Sequence, residues 1–415
     1  MPCQQNALFI RDWLFAIPRS SEQLMTNRDD FGTQVNRWID DAAGDPSIRV
    51  TAARDSIGIH KAWRPVLFGA GALGCTILQG LRKSEVEPLG FVDNNPRRWG
   101  TSVDSVSVMS LAQAIDRFGH DVPIVVAIYT GASLQAQLRA SGFDAIAYPQ
   151  LALAFPDTLL PWNALELPSR MVQHRARIHD ALALFEDDRS RDEFVAQIRF
   201  RATLSGPVPS HLSAQTTYFP DELVSLRADE CFVDCGAFDG DSIDSFLRRS
   251  RGWFGTIVAI EADPSNAEKL RRYLSGLPHS VSSKVMVVEA AVGAKSGSVR
   301  FAATGSVAST VIGQSGSVIE VPCKMLDDIL QDTKPSYIKM DLEGAEPEAL
   351  AGAREVIRHH APVMALSLYH RQSDLWDIPL LVKEISDRYQ FFLRRHSDDC
   401  WEQILYAIPH DRVQI

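Results

Sequence analysis

Apolar and polar positions change their period twice along this chain. Phe31, Val35, Trp38 and Ile39 recur at helical spacing, and a turn is expected at Gly44, Asp45 and Pro46. From Pro65 onward short apolar runs alternate with amphipathic stretches, at Val66–Phe68, Thr76–Arg82, Leu89–Asp93, Leu111–Arg117, Ile124–Tyr129 and Leu134–Ala140. This alternation predicts βαβ units, and hence a parallel sheet covered by helices. Between Pro149 and Ala228 the strand-like runs stop. Met171–Phe185 and Glu193–Ala202 read there as charged amphipathic helices, with Gly206 and Pro207 as a stop signal. A second alternating series gives seven candidate strands: Cys231–Cys235, Thr256–Glu261, Val285–Ala290, Ser336–Asp341, Pro362–Tyr369, Phe391–Arg394 and Gln403–Ala407. Val299–Ala302 and Val318–Val321 add two short strands of a surface hairpin with Gly and Ser between them.

The fold class expected is therefore α/β, with two Rossmann-like parallel-sheet domains joined by a helical connector. The boundaries fall at 1–62 for a helical segment, 63–150 for the first sheet domain, 151–217 for the connector and 218–415 for a seven-stranded second domain.

Composition narrows the function classes. A chain of 415 residues can fill two or three cores, and 45% hydrophobic with 23% charged residues is ordinary for a globular protein. The net charge of -10 leaves no basic footprint for phosphates, so nucleic acid is not an expected partner. No apolar run is long enough to span a membrane, and Leu8–Ile17 is broken by Arg11 and Asp12, so a cytoplasmic chain is expected. The six cysteines are scattered rather than spaced as a disulfide framework or zinc ligands, and read as reduced thiols.

The chemistry concentrates at predicted strand ends. In CFVDCGAFDGDSIDSFL a strand, a glycine turn and a helix follow in order. Gly236 can take a positive φ and admit a ligand close to the backbone, and the free amides of the next helix suit a carboxylate such as that of methionine. Asp234 is then placed to accept from the amino group of such a ligand. The spacing of Asp234, Gly236 and Gly240 differs from a dinucleotide fingerprint, and acids at the helix start would repel a pyrophosphate. Glu261, at the end of the next strand, is placed for a ribose, and Asp263 where the chain turns toward an adenine. The fourth strand ends in Lys339, Asp341 and Glu343, which share a face if the extended run continues; Lys339 and Asp341 can also simply neutralise each other. The fifth delivers Tyr369, His370 and Arg371 to the same edge.

The blocks VDCGAFDGD, VAIEADPSN, YIKMDLEGAEPEAL and ALSLYHRQSDLWDIPLL resemble FkbM-type O-methyltransferases over Tyr218–Pro409. The resemblance implies a class I methyltransferase domain, S-adenosylmethionine as methyl donor, and a hydroxylated small-molecule acceptor such as a sugar or glycoconjugate. It carries ligand positions to Asp234, Gly236, Gly240 and Glu261, with Cys235, Ala237, Asp239, Ala262, Asp263 and Ala290 beside them, and the central acidic motif to Asp341 and Glu343. The expected catalytic set is Lys339, Asp341, Glu343 and His370. His370 or Asp341 is expected to take the acceptor's proton; alternatively Asp341, Glu343 and His370 hold a magnesium ion that orients a diol.

In the first half, Gly69, Gly71 and Gly74 match GxGxxG after a strand, with Asp93 beyond them. GAGALG and FVDNNP resemble the N-terminal domain of PglD-type sugar acyltransferases over Pro65–Pro149, which implies a nucleotide-sugar pocket. The competing reading is an NAD-dependent oxidoreductase, or a nucleotide-sugar-binding protein, working through this half.

Overall fold

The computed structural model describes residues 31–205, 217–303, 317–397, 399 and 401–414. The chain divides into two compact units: Met1–Arg175 with Val195–Ser210 and Ser397–Trp401, and Ala176–Phe194 with His211–His396 and Glu402–Ile415.

The first unit opens with helices Phe31–Ala42 and Pro46–Ser56, the second capped by Asp45, whose side chain accepts from Ser47 N. Its sheet holds β1 (Val66–Phe68), β2 (Gly90–Val92), β3 (Ser102–Val103), β4 (Val106–Met109), β5 (Ile124–Val126) and β6 (Ala145–Ala147), in the order β3-β4-β2-β1-β5-β6. All neighbours are parallel except β3 and β4. This hairpin, absent from the expected elements, turns on Asp104 and Ser105, both with positive φ. That is the geometry of a primed hairpin turn, which without Asn-Gly or Asp-Gly leaves little trace in the sequence. Val66, Phe68, Val92, Ile124 and Val126 are buried in one cluster, as the central strands of a sheet covered on both faces should be.

Ser397–Trp401 belongs to this unit. Asp399 accepts from Ala132 N at 2.9 Å, at the start of helix Ala132–Ala140. The Trp401 indole donates to Tyr129 O at 2.9 Å and stacks on the Tyr129 ring with centroids 4.8 Å apart.

The second unit is built on β7 (Cys231–Cys235), β8 (Thr256–Glu261), β9 (Val285–Glu289), β13 (Tyr337–Met340), β14 (Val363–Ser367), β15 (Tyr389–Arg395) and β16 (Gln403–Pro409), in the order β15-β16-β14-β13-β7-β8-β9. Only β16 runs antiparallel to its neighbours. The seven expected strands are all present, and the α/β class with parallel sheets holds. A separate small sheet comprises β10 (Ala291–Val292), β11 (Gly297–Ala303) and β12 (Ser317–Lys324), the latter two antiparallel as expected, while the Gly and Ser residues between them lie outside the described residues. Phe219, Phe232, Phe246 and Tyr337 pack ring to ring in the core, with Phe232 stacked on Phe246 at 4.7 Å. Burying each such ring stabilises by about 1.5–3 kcal/mol.

Between the two sheets in chain order come helices Arg175–Leu182 and Asp188–Thr203. The latter ends before the expected stop at Gly206 and Pro207, which is outside the described residues, as are Leu8–Ile17, Cys3 and Cys400. Cys75, Cys231, Cys235 and Cys323 are free thiols. Among the described residues no helix is long and apolar enough to cross a membrane.

Candidate active site

The turn after β7 is shaped by close backbone approach. Gly236 has φ +82, and a Cβ there would lie 2.1 Å from Asp341 O, so the two neighbouring strand ends meet only if this residue lacks a side chain. At the end of β8, Glu261 Oε2 accepts from Phe238 N at 2.9 Å and Oε1 from Asp263 N at 2.8 Å. Burial pushes its carboxyl up, and those two backbone amides pull it back part of the way. Each carboxylate oxygen keeps further acceptor capacity for a hydroxyl.

At the end of β13, Lys339 reaches Asp234 at 3.1 Å, both side chains being almost wholly inaccessible. The ammonium also donates to Gly236 O at 2.7 Å. Burial lifts Asp234 to about 6 in spite of Lys339. Lys339 itself is buried, which favours the neutral amine, but Asp234, Asp341 and Asp241 together hold it charged. Asp341 accepts from Tyr218 Oη at 2.8 Å and from Tyr369 Oη at 3.1 Å. Burial opposes its ionisation, yet Lys339, His370 and the Tyr218 hydroxyl hold it below the ordinary carboxylate range.

His370 is buried among carboxylates. Nδ1 lies 2.9 Å from Glu346 Oε1, and Nε2 lies 3.4 Å from Asp341 Oδ1 and 3.8 Å from Glu343 Oε2. Burial alone would strip the ring of its proton, but Glu346, Glu343 and Asp341 outweigh it and lift the imidazole to about 10. Glu343, at φ +52 just beyond β13, is raised to about 7, chiefly by burial, with His370 pulling down and Asp341 and Glu346 pushing up. A non-glycine residue in that conformation costs roughly 1–3 kcal/mol, and such strain collects at functional sites.

One cavity is lined by residues from all these strand ends, among them Gly236, Glu261, Ala290, Asp341 and Glu343. Residues 234–398 match the family described as the methyltransferase FkbM domain. This stretch of the chain is similar to a methyltransferase domain. Among solved structures the chain is similar to methyltransferase FkbM from Methylobacillus flagellatus KT, with a TM-score of 0.70 at 24% identity, covering 91% of this chain and 99% of that one; the likeness is one of fold. Among curated proteins it is 32% identical over 111 residues to the redox-sensing transcriptional repressor Rex of Roseiflexus sp. (strain RS-1), a match covering 25% of this chain and 50% of that protein. The chain thus spans half the length of the curated relative it matches. These matches lend no support to the resemblance of Pro65–Pro149 to PglD-type acyltransferases.

Within residues 234–398 the cavity wall includes Gly236, Glu261, Ala262, Ala290, Lys339, Asp341 and Glu343 of the expected set. Several other expected residues have different surroundings. Asp234 is fully buried against Lys339, not open to a ligand amine, and it is Asp234 rather than Asp341 that forms the buried pair with this lysine. Asp263 caps helix Pro264–Ser275 by accepting from Ser265 N. Gly240, φ +98, is required by Tyr273, whose ring would lie 2.6 Å from an added Cβ. Cys235 and Ala237 are core residues, and Asp239 lies off the wall. His370 is not among the residues that line the cavity, and its carboxylate neighbours push the imidazole up to about 10. Of the residues expected to hold a magnesium ion, Asp341 and His370 bring donor atoms within 4.8 Å of one another together with Glu346, which the sequence reading did not include.

Tyr218, Phe238, Asp241, Ser242 and Asn266 also line the cavity, and the sequence gives them no role of their own. Tyr218 precedes the first strand by a dozen residues, where no motif marks it. Asn266 is legible only as a turn residue after Pro264.

In the first unit the glycines divide by role. A Cβ on Gly69, φ +121, would meet Ala127 O at 2.5 Å, and one on Gly74 would meet Gly69 O at 2.1 Å, so both serve close packing. Gly71 faces open space. Asp93 accepts from Ala70 N at 3.1 Å and from Asn95 N at 2.8 Å.

Proposed function

We propose that this protein transfers a methyl group from S-adenosylmethionine to a hydroxyl oxygen of a small hydroxylated acceptor, a sugar or glycoconjugate, with Glu343 as the proton acceptor. The observation that carries the reading is the single cavity joining the β7 glycine turn, the β8 carboxylate Glu261 and the acidic end of β13. The match of residues 234–398 to the methyltransferase FkbM domain supports it.

The donor supplies a methyl already activated by its sulfonium, so the chain's task is to align an oxygen with it and remove a proton. Gly236 borders the cavity in which the donor would lie, and Glu261, oriented by its two amide partners, presents oxygens for ribose hydroxyls. Asp341, kept ionised by Lys339 and His370 and hydrogen-bonded by two tyrosines, provides fixed negative charge on the same wall. His370 keeps its proton, so the role of base passes to Glu343, whose carboxyl is poised near neutrality and borders the cavity.

The test is transfer of labelled methyl from S-adenosylmethionine to a panel of sugars, with S-adenosylhomocysteine binding measured in parallel. Transfer that is lost in Glu343→Gln while the nucleoside still binds is the expected result. Failure of the wild type to bind S-adenosylhomocysteine overturns the function; full turnover in Glu343→Gln overturns the assignment of the base.

A further inference from the structure

The first unit holds a cavity of about 430 Å³ whose described lining residues all belong to that unit. Small-molecule sites commonly enclose about 300–1,000 Å³. The cavity lies at the carboxyl ends of β5 and β6: Ile128 and Tyr129 follow β5, and Tyr148 and Gln150 follow β6, with Leu73 added from the helix after β1. In the order β3-β4-β2-β1-β5-β6 the chain builds outward from β1 on one side, then crosses back to β5 on the other. Open α/β sheets hold ligands in the crevice at such a reversal.

Four rings from four separate chain segments line this space: Tyr129, Tyr148, Trp162 and Trp401. Tyr129 stacks on Trp401 at 4.8 Å, and Trp162 meets Tyr148 edge-on at 4.8 Å and Trp401 at 5.4 Å. Their polar ends are anchored as well, the Trp401 indole to Tyr129 O and the Tyr148 hydroxyl to Leu159 O at 2.7 Å. Held this way, the rings are organised before any ligand arrives. An aromatic face is negative and draws the slightly positive C–H bonds of a saturated ring laid against it.

The polar groups of the wall are mixed in kind. Gln135 spends its amide group as a donor to Ala145 O at 3.1 Å, which leaves a carbonyl oxygen to accept. Gln150 does the reverse, accepting from Ala147 N at 3.2 Å and keeping its donors. A hydroxyl donates and accepts at once, so a pair of this kind suits neighbouring hydroxyls. Phosphate is disfavoured. Asp399 Oδ1 accepts from Ala132 N at 2.9 Å and so places a carboxylate at the start of helix Ala132–Ala140, where an anion would otherwise be drawn. Gly71, the fingerprint glycine that faces open space, is not part of this wall.

We propose that this cavity binds a neutral, polyhydroxylated sugar ring, stacked on the Tyr129, Trp162 and Trp401 cluster and hydrogen-bonded by Gln135 and Gln150. Sugar binding here does not depend on methyl transfer in the second unit.

The experiment titrates the full chain with the methyl glycosides of glucose, galactose and mannose and with N-acetylglucosamine, followed by calorimetry. AMP and inorganic phosphate serve as anionic competitors. At least one neutral sugar is expected to bind near one equivalent, undisturbed by either anion. Ala136→Trp adds bulk at an exposed position of the wall and should weaken that sugar about tenfold or more. Trp162→Leu removes a ring from the cluster and should weaken it about tenfold. Thermal unfolding shows whether each variant is folded, and Ala136→Trp decides alone if Trp162→Leu is not. Absence of binding by all four sugars overturns the proposal, as does undiminished binding in a folded Ala136→Trp protein. Displacement of the sugar by AMP or phosphate overturns the choice of a neutral ligand.

Discussion

The carboxylate of Glu261 accepts from the backbone amide of Phe238 at 2.9 Å, which ties the end of β8 to the glycine turn that follows β7. The same oxygen pair also holds Asp263 N. Replacing Glu261 by Ala should remove the ribose partner and leave two amides without acceptors. Hydrogen bonds to charged groups contribute about 1.5–3 kcal/mol each, so S-adenosylhomocysteine affinity should fall roughly 10- to 100-fold in calorimetry. Gln is no remedy, because its amide group presents a donor to one of those N–H groups. Unaltered affinity in Glu261→Ala would remove this residue from the ligand site.

The pH dependence of turnover should follow Glu343. Its carboxyl is lifted to about 7, and a base works only when ionised. kcat/KM should therefore rise about tenfold per pH unit below this point and level off above it. In Glu343→Gln that limb should vanish and the rate drop about 100- to 10,000-fold, the usual contribution of general-base help. A profile that instead falls as pH rises through neutrality would assign a protonated group to the step.

Gly236 cannot accept a side chain. Its φ of +82, and a carbonyl oxygen of Asp341 that would stand 2.1 Å from the new Cβ, both penalise Gly236→Ala. Backbone strain of this kind costs about 1–3 kcal/mol before the collision is counted, so thermal unfolding should begin several degrees lower. Gly297→Ala, where an added Cβ meets nothing within 4 Å, serves as the control and should leave the transition in place.

The glycines of the first unit can be separated in the same way. Gly74→Ala should destabilise, since its Cβ would strike Gly69 O, whereas Gly71→Ala should be tolerated. If this turn binds a nucleotide, Gly71→Ala should weaken that binding without lowering stability, measured by titration with NADH and nucleotide sugars. Equal binding by both proteins would reduce the fingerprint to a packing device.

The strand pattern was legible because buried parallel strands write themselves as short apolar runs. Val66–Phe68 and Cys231–Cys235 needed no tertiary information. The β3–β4 hairpin was hidden because Asp104 and Ser105 adopt positive φ without the usual glycine. At the candidate site, strand-end acids such as Glu261 and Glu343 were readable from spacing. Their partners were not: the pairing of Lys339 with Asp234 is set by the register of β13 beside β7, which aligns the two residues across the sheet. Nor does sequence record how many carboxylates converge on His370, and that number decides whether the ring is a base or a fixed cation.

The residues Ser397–Trp401 separate β15 from β16, strands of the second unit, yet they are part of the first unit, where Asp399 and Trp401 are bound by Ala132 and Tyr129. The two units are thus interleaved along the chain rather than strung end to end. No single break in the gene yields a complete version of either, so they cannot be traded one at a time between proteins by recombination at one junction. A deletion that excised the second unit's sheet as one continuous segment would carry away a stacked tryptophan from the first unit.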